Sequence, residues 1–404
     1  MKISQPFVKR EGSMVKLQSR VEYQQGQFDL WFAVDQQYEP WLSHENLDSF
    51  LMGIFLVAMK HGEDIYLEGP VSEKLYYNMT HGLIHIFSLL DPSFKEVSVY
   101  PGKLNPASLN PDNRNNVVTG FSGGIDSFHL LANHFFNEPP ASYRVTHLVY
   151  NNVGAHGNHA SDFFHKRFNR LVDFSREMEL PFVKIDSNLY EILDTDFLLS
   201  VLPRNVASVL ALQKLFGKYL YASSYTFRDF LEHILYRIGY LDPLSISLLA
   251  TETMEPVLVG SHITRVEKTR QVTDVESSHH HLYVCTETDR DTAENCSTCF
   301  KCSRTLLTLE ILGKLHQYDQ VFDLDKYQKI KQPYIDSLLY YRDPFAREIL
   351  DLADARGYAI SPMNRFRGSK PVYPLLEYMR KHTPESFRQN IKRFMGMKVQ
   401  TGSS

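Results

Sequence analysis

The run Ser122-Gly123-Gly124-Ile125-Asp126-Ser127 concentrates residue types that can hold a phosphorylated ligand. Paired glycines let a backbone bring its N–H groups up to phosphate oxygens, and Ser122 and Ser127 add hydroxyl donors. Asp126 is then placed to hold Mg²⁺ against a pyrophosphate. The run lacks the Gly-Lys-Ser/Thr of a Walker loop and the Gly-x-Gly-x-x-Gly of a dinucleotide turn. The chemistry depends on context, because the glycines must leave a buried strand and open a helix whose N-terminus favours negative charge. Val117 to Phe121 reads as that strand and Ser127 to Phe136 as that helix. An ordinary strand-turn-helix with a capping serine is the competing reading.

The second constellation is Cys285, Cys296, Cys299 and Cys302, the only four cysteines in the sequence. Four thiolates so spaced can close a tetrahedron around Zn²⁺ with no open position for water, which makes the ion structural. An iron–sulfur cluster and four unrelated buried thiols are the alternatives. No apolar leader follows Lys2, Lys9 and Arg10, so the pattern indicates a metal site in a reducing, cytoplasmic compartment, not a secreted disulfide framework. His279-His280-His281 reads as an exposed turn.

The elements that must position these residues fall into successive regions. At 404 residues the chain suits two or three domains, and 43% hydrophobic with 22% charged residues is a globular composition. A net charge of -4 argues against wholesale nucleic-acid binding. Leu51 to Met59, the densest apolar stretch, is about half the length a membrane span needs. Residues 1–115 read as an N-terminal α+β domain, with strands at Val15–Tyr23, Phe28–Val34, Asp64–Leu67 and Glu96–Tyr100. One of its helices runs through Leu47 to Ala58 with Ser43 as N-cap, and another spans Ser72–Leu90. Asn105 to Asn116 is a linker.

Residues 116–316 alternate short apolar strands with longer helices, the pattern of a doubly wound α/β parallel sheet. The strands are Val117–Phe121, Thr146–Asn151, Phe182–Ile185, Tyr219–Ala222 and Val257–Val259. Helices lie near Ser127–Phe136, Ala160–Met178, Val206–Phe216 and Phe227–Tyr240. In such sheets ligands bind beyond the carboxyl ends of the strands, which places the loop from Asn151 to His159, and Asp186, at the ligand edge. His156 and His159 read as solvated loop residues. Residues 317–398 form a helical C-terminal region. It gathers Arg365, Arg367, Lys370, Arg380, Lys381, Arg388, Lys392, Arg393 and Lys398 against Glu377 and Glu385, either a polyanion-docking surface or a solvated helix face. Residues 399–404 read as a disordered tail.

The Ser122–Ser127 run resembles the signature of the PP-loop ATP pyrophosphatases, a HUP-like superfamily whose members cleave ATP between its α and β phosphates. They adenylate a carboxylate, amide or base oxygen and then displace AMP with a nucleophile. Read with the four cysteines, the chain is similar to the 7-cyano-7-deazaguanine synthase (QueC) family, in which a PP-loop domain ends in a four-cysteine zinc site. Leu202-Pro203-Arg204-Asn205, read as opening a helix, is similar to that family's Pro-Gly-Arg-Asn segment. Arg265-Val266-Glu267 is similar to its Lys-x-Glu, with arginine for lysine. The resemblance covers roughly Val117 to Leu315. Ser223 to Asp229 departs from it, lacking the acidic segment that contains Tyr-Pro-Asp-Cys.

The resemblance implies ATP and Mg²⁺ at Ser122, Gly123, Gly124, Ile125, Asp126 and Ser127. It further implies Arg204 and Arg265 facing phosphates or a substrate carboxylate, and the strand-end position of Tyr150 would put it near the adenine. Asp186, Tyr225, Arg228 and Asp229 are substrate candidates, and equally a cap and a polar helix start. The implied reaction adenylates a small-molecule carboxylate such as 7-carboxy-7-deazaguanine and passes the acyl group to ammonia. In an enlarged QueC-like protein of antiphage defence, the amine would belong to a protein or nucleic-acid partner bound by the flanking regions. A tRNA sulfur-inserting enzyme needs thiols beyond the metal set, and an amidotransferase needs a catalytic cysteine where residue 2 is lysine. A non-catalytic nucleotide-binding regulator is the remaining alternative.

Overall fold

The computed structural model describes residues 1–105, 115–155, 161–193, 195–233, 241–286 and 294–382. Most of the linker, His156, His159, the end of the Phe227–Tyr240 segment, Arg388, Lys392, Arg393, Lys398 and residues 399–404 lie outside them.

The strands in chain order are β1 (Lys2–Ile3), β2 (Phe7–Glu11), β3 (Met14–Tyr23), β4 (Gly26–Asp35), β5 (Ile65–Leu67), β6 (Pro70–Ser72) and β7 (Val99–Tyr100). They continue with β8 (Lys103–Asn105), β9 (Val117–Gly120), β10 (His147–Asn151), β11 (Phe182–Ser187), β12 (Lys218–Ala222) and β13 (Glu255–Val259). Val117, Val118 and Thr119 of β9 are all fully buried, which requires cover on both faces of the sheet. The order β13-β12-β9-β10-β11 is parallel throughout. The chain builds outward from β9 through β10 to β11, then crosses to β12 and β13 on the other side. The switch of direction lies between β9 and β12, where open α/β sheets form a crevice at the carboxyl ends of their strands.

The sheet does not stop at β11. Asp186 and Ser187 pair antiparallel with Ala33 and Phe32 of β4, and β4 forms a long hairpin with β3. An exposed edge on β11 would leave N–H and C=O groups unpaired, and β4 supplies their partners. The result is an eleven-stranded sheet that runs through both regions read from the sequence as separate, and one cluster of buried apolar side chains draws on both. The helix Asp48–His61 is buried from Asp48 to Met59, as befits a helix apolar all round. Asp48 accepts from the Ser72 N–H (2.8 Å), the Ser72 hydroxyl (2.6 Å) and Gln213 Nε2 (2.9 Å), while burial raises its pKa. Ser43 is not the cap: the helix opens after Leu47, and Asn46 Oδ1 accepts from the Asp48 N–H.

The expected Ser72–Leu90 helix contains a π turn at Met79–Leu83 between α-helical Glu73–Asn78 and Ile84–Leu90. A larger correction concerns the helix expected from Val206. It spans Phe197–Leu210, capped by Asp196, whose side chain accepts from the Leu198 N–H. Leu199, Leu202, Val206 and Val209 are buried on one stripe that continues across Pro203, so packing outweighs the hydrogen bond the proline removes.

The chain forms two compact units, Met1–Cys296 with His316–Phe322, and Ser297–Leu315 with Asp323–Ser404. The second unit, as far as it is described, is built of helices. Within it Glu310 accepts from Tyr327 (2.7 Å), Lys331 (2.8 Å) and Tyr358 (2.9 Å), tying three segments together. Asp336, fully buried, pairs with Arg367 at 2.9 Å and accepts from Asn364 at 2.8 Å. Among the described residues no helix is long and apolar enough to cross a membrane.

Candidate functional site

β9 delivers the chain to the switch point, and the Phe121 N–H still pairs with Val149 of β10 at 2.9 Å. The next residues leave the sheet. Gly123 has φ +75, a conformation that side chains disfavour, and a Cβ there would lie 2.9 Å from Leu171 Cδ2 and 3.3 Å from Tyr283 Cβ. Its carbonyl accepts from the Tyr283 N–H at 2.7 Å, which pins the turn. Gly124 is extended and caps the helix Ile125–Leu131, which continues through a π turn at Ala132–Phe136.

Ser122 is exposed at this turn, and its Oγ accepts from the Gly124 N–H at 3.4 Å. Ser127 is buried and donates to the Gly124 carbonyl at 2.9 Å, so the hydroxyl expected to serve a phosphate is engaged by main chain. Ile125 is fully buried and anchors the first helical turn.

Two cations meet Asp126. Thr264 caps the helix Arg265–Val272, and Arg265 and Lys268, three residues apart, share a face. Arg265 Nη1 lies 2.6 Å from Asp126 Oδ2, and Lys268 Nζ lies 3.4 Å from Oδ1 while donating to the Ser223 carbonyl at 2.5 Å. One carboxylate against two cations leaves the cluster net positive beside the N–H groups of the glycine turn. Such an arrangement receives a polyanion. Mg²⁺ fits Asp126 only together with phosphate oxygens, since a single carboxylate shared with two cations is a poor cation site by itself.

Sequence reasoning found Arg265 and missed Lys268. It also missed His129 and Gly260. His129 is 2% exposed, and burial, followed by the charge on Lys268, pushes its pKa down to about 4, so the imidazole is neutral. Gly260 has φ +87, and a Cβ on it would come 3.1 Å from His129 Cε1 and 3.2 Å from Lys268 Cε. A glycine here is what admits both side chains.

A second group surrounds the segment after β10. Arg204 lies inside its helix, not at its start, and is 4% exposed. Its guanidinium donates to Ser200 Oγ (2.8 Å) and to the carbonyls of Val153 (3.0 Å), Leu193 (3.3 Å) and Thr195 (3.4 Å), while burial lowers its pKa to about 10. The arginine therefore holds main chain in place. Asp186 Oδ1 accepts from Asn152 Nδ2 at 2.7 Å and fixes the same segment.

Tyr150 is 6% exposed, stacked on Phe164 with centroids 5.1 Å apart, and burial pushes its pKa up to about 12. Its ring belongs to the aromatic core under the sheet. Asp229 joins a reciprocal cap with Thr226: the Thr226 N–H and hydroxyl donate to Asp229 Oδ2 at 2.8 and 2.7 Å, and the Asp229 N–H donates back to Thr226 Oγ1 at 3.1 Å. Of the open pair of readings for Asp229, the structure displays the helix start. Arg228 beside it is exposed and Tyr225 half-buried.

The ligating sulfurs of Cys285, Cys296, Cys299 and Cys302 all lie within 4.8 Å of one another, a group able to hold a metal ion. His279–His281 sit in a short helical turn, where His281 Nε2 meets Glu177 at 2.9 Å. Among the described residues they join no group of metal-ligating side chains.

No family model matches the sequence, and no curated protein matches it. Among solved structures, the U34-tRNA thiolase NcsA from Methanococcus maripaludis with its [4Fe-4S] cluster aligns over 64% of this chain and 81% of its own, at 14% identity and a TM-score of 0.31. A likeness of that degree assigns neither fold nor chemistry to this chain.

Proposed function

We propose that this chain cleaves ATP between its α and β phosphates at the Ser122–Ser127 turn and activates a carboxylate as its adenylate, with 7-carboxy-7-deazaguanine as the candidate acid. The observation that carries the reading is the convergence of Arg265 and Lys268 on Asp126 beside the Gly123-Gly124 turn, at the switch point of the parallel sheet.

In the reaction a carboxylate oxygen attacks the α-phosphorus, and the bond from that phosphorus to the α–β bridging oxygen breaks. The bridging oxygen leaves with its electron pair as part of pyrophosphate. Fixed donors aimed at that oxygen stabilise the developing charge without reorganising, which is the role of Arg265, Lys268 and the N–H groups of the turn. Mg²⁺, when bound with the nucleotide, would be held by Asp126 and would neutralise phosphate charge. An amine then attacks the acyl carbon, the carbon–oxygen bond to AMP breaks, and the amine proton passes to solvent. With ammonia the product is the amide, which a second ATP would carry to the nitrile. A macromolecular amine bound by the N-terminal region or the basic C-terminal residues is the second form of the same reaction. Arg204 acts as a positioning residue, setting the wall after β10, because its donors are directed at main chain.

The cysteine group supports structural zinc. Tetrahedral bonds of about 2.3 Å place thiolate sulfurs about 3.8 Å apart, which four sulfurs all within 4.8 Å of one another accommodate, whereas a four-iron cube would hold them further apart. All four cysteines of the chain lie in this group, which leaves no other thiol for sulfur transfer.

The test is incubation of the whole chain with ATP and 7-carboxy-7-deazaguanine, with and without ammonia, followed by mass spectrometry. The reading expects AMP and pyrophosphate dependent on the carboxylate. ATP binding with no AMP in any condition would leave a regulator in its place.

A further inference from the structure

We propose, resting on the ATP-cleaving reading above, that Arg167 is a pyrophosphate-binding residue of this site, held over the ring of Tyr283. Two independent contacts fix its place. Leu171, one helical turn after Arg167 on the helix Ser161–Glu177, packs directly on the glycine turn, 2.9 Å from where a Cβ on Gly123 would stand. That helix leaves the carboxyl end of β10 and runs back towards the start of β11, so Arg167 stands one turn nearer the ligand edge than Leu171. The Arg167 guanidinium carbon then lies 4.4 Å from the centroid of the Tyr283 ring, with Arg170 at 5.6 Å. Tyr283 is the residue whose N–H holds the Gly123 carbonyl at 2.7 Å. One residue thus ties the phosphate turn and orients the arginine beside it.

Charge is delivered to the turn from two sides. Asp126 and Phe128 are two residues apart on a helix and point in roughly opposite directions. Asp126 faces Arg265 and Lys268, while Phe128 packs on Phe174 of the Arg167 helix, with centroids 5.2 Å apart. A polyphosphate lying over the turn therefore has Arg265 and Lys268 on one flank and Arg167 on the other. A guanidinium over an aromatic ring still carries the planar fork of donors that phosphate oxygens recognise. Lysine would carry the charge without the plane.

The experiment is calorimetric titration of the full chain with inorganic pyrophosphate and, separately, with ATP and with AMP. Arg167→Ala weakens pyrophosphate binding by about 10- to 100-fold, the loss of a charge-assisted hydrogen bond, and leaves AMP binding within about twofold. Arg167→Met keeps an unbranched stem over the ring and gives the same loss if the alanine variant folds poorly. Arg176→Ala, at the exposed end of the helix beside Asp173, binds pyrophosphate as the parent does. If the parent binds neither pyrophosphate nor ATP, the underlying reading fails. If the parent binds both and the Arg167 variants bind pyrophosphate equally well, or Arg176→Ala loses as much, the Arg167 assignment alone is overturned.

Discussion

The two glycines of the turn are predicted to fail in different ways when each gains a methyl group. At Gly123 the backbone has φ +75, where a Cβ costs about 1 to 2 kcal/mol. The new atom would also sit 2.9 Å from Leu171 Cδ2 and 3.3 Å from Tyr283 Cβ. Both neighbours are packed, and forced repacking of that kind costs about 1 to 3 kcal/mol more. Gly123→Ala should therefore lower unfolding free energy by about 2 to 5 kcal/mol. At Gly124 the backbone is extended, and a Cβ would lie 3.4 Å from Ser122 Oγ and 3.6 Å from the Tyr283 carbonyl, ordinary contacts. Gly124→Ala should cost less than about 1 kcal/mol, since alanine also restricts the unfolded chain. Yet its methyl stands where phosphate oxygens must approach the backbone, so ATP binding should fall at least about tenfold, a loss of about 1.4 kcal/mol. Urea unfolding and nucleotide titration on both variants separate the effects. A Gly124→Ala protein that binds ATP like its parent, or unfolds as readily as Gly123→Ala, would refute the reasoning.

Arg204→Ala removes a buried guanidinium from Ser200 and three carbonyls and should destabilise by about 3 kcal/mol in urea unfolding, with Arg204→Lys recovering little. His129 has its pKa lowered from 6.5 to about 4 by burial, so its neutral form contributes stability fully above pH 6.5. That contribution is lost as pH falls towards 4, by about 3 kcal/mol in total, and His129→Gln should flatten the slope in acid titrations followed by circular dichroism. Asp126→Ala should abolish pyrophosphate release while leaving metal content, read by elemental mass spectrometry, unchanged. Elemental analysis of the parent should find one zinc per chain and no iron, and replacing any one of the four cysteines by serine should lower the melting temperature.

Burial left a strong imprint on the sequence where both faces of an element are covered. The five parallel strands were legible because runs such as Val117-Val118-Thr119 have no solvent side, and the glycine turn because its residue types are rare in that order. The continuation of the sheet through β4 was not legible, since edge pairing between Asp186 and Ala33 is a backbone match that side chains barely encode. Pro203 misled in another way. It looked like a helix start, but Asp196 caps the helix seven residues earlier and the apolar stripe carries through.

At the site, Arg265 was singled out only through the likeness of Arg265-Val266-Glu267 to a family segment, while Lys268 and His129 carried no sequence signal that set them apart. Only the fold brings them together under Gly260. Arg204 was expected at the site from a family likeness and Tyr150 from its place at a strand end, but neither signal reports what a side chain already touches. The first is occupied by main-chain carbonyls and the second by Phe164.

The central claim is that a carboxylate attacks the α-phosphorus of ATP. Its most direct test uses 7-carboxy-7-deazaguanine labelled with heavy oxygen in the carboxylate, incubated with the whole chain, ATP and ammonia. The account predicts that the AMP released carries one heavy oxygen taken from the acid, because the bond broken by ammonia is the one between the acyl carbon and that oxygen. AMP formed without label, with the acid fully recovered, would mean that water and not a carboxylate attacks at the turn, and the account would be contradicted.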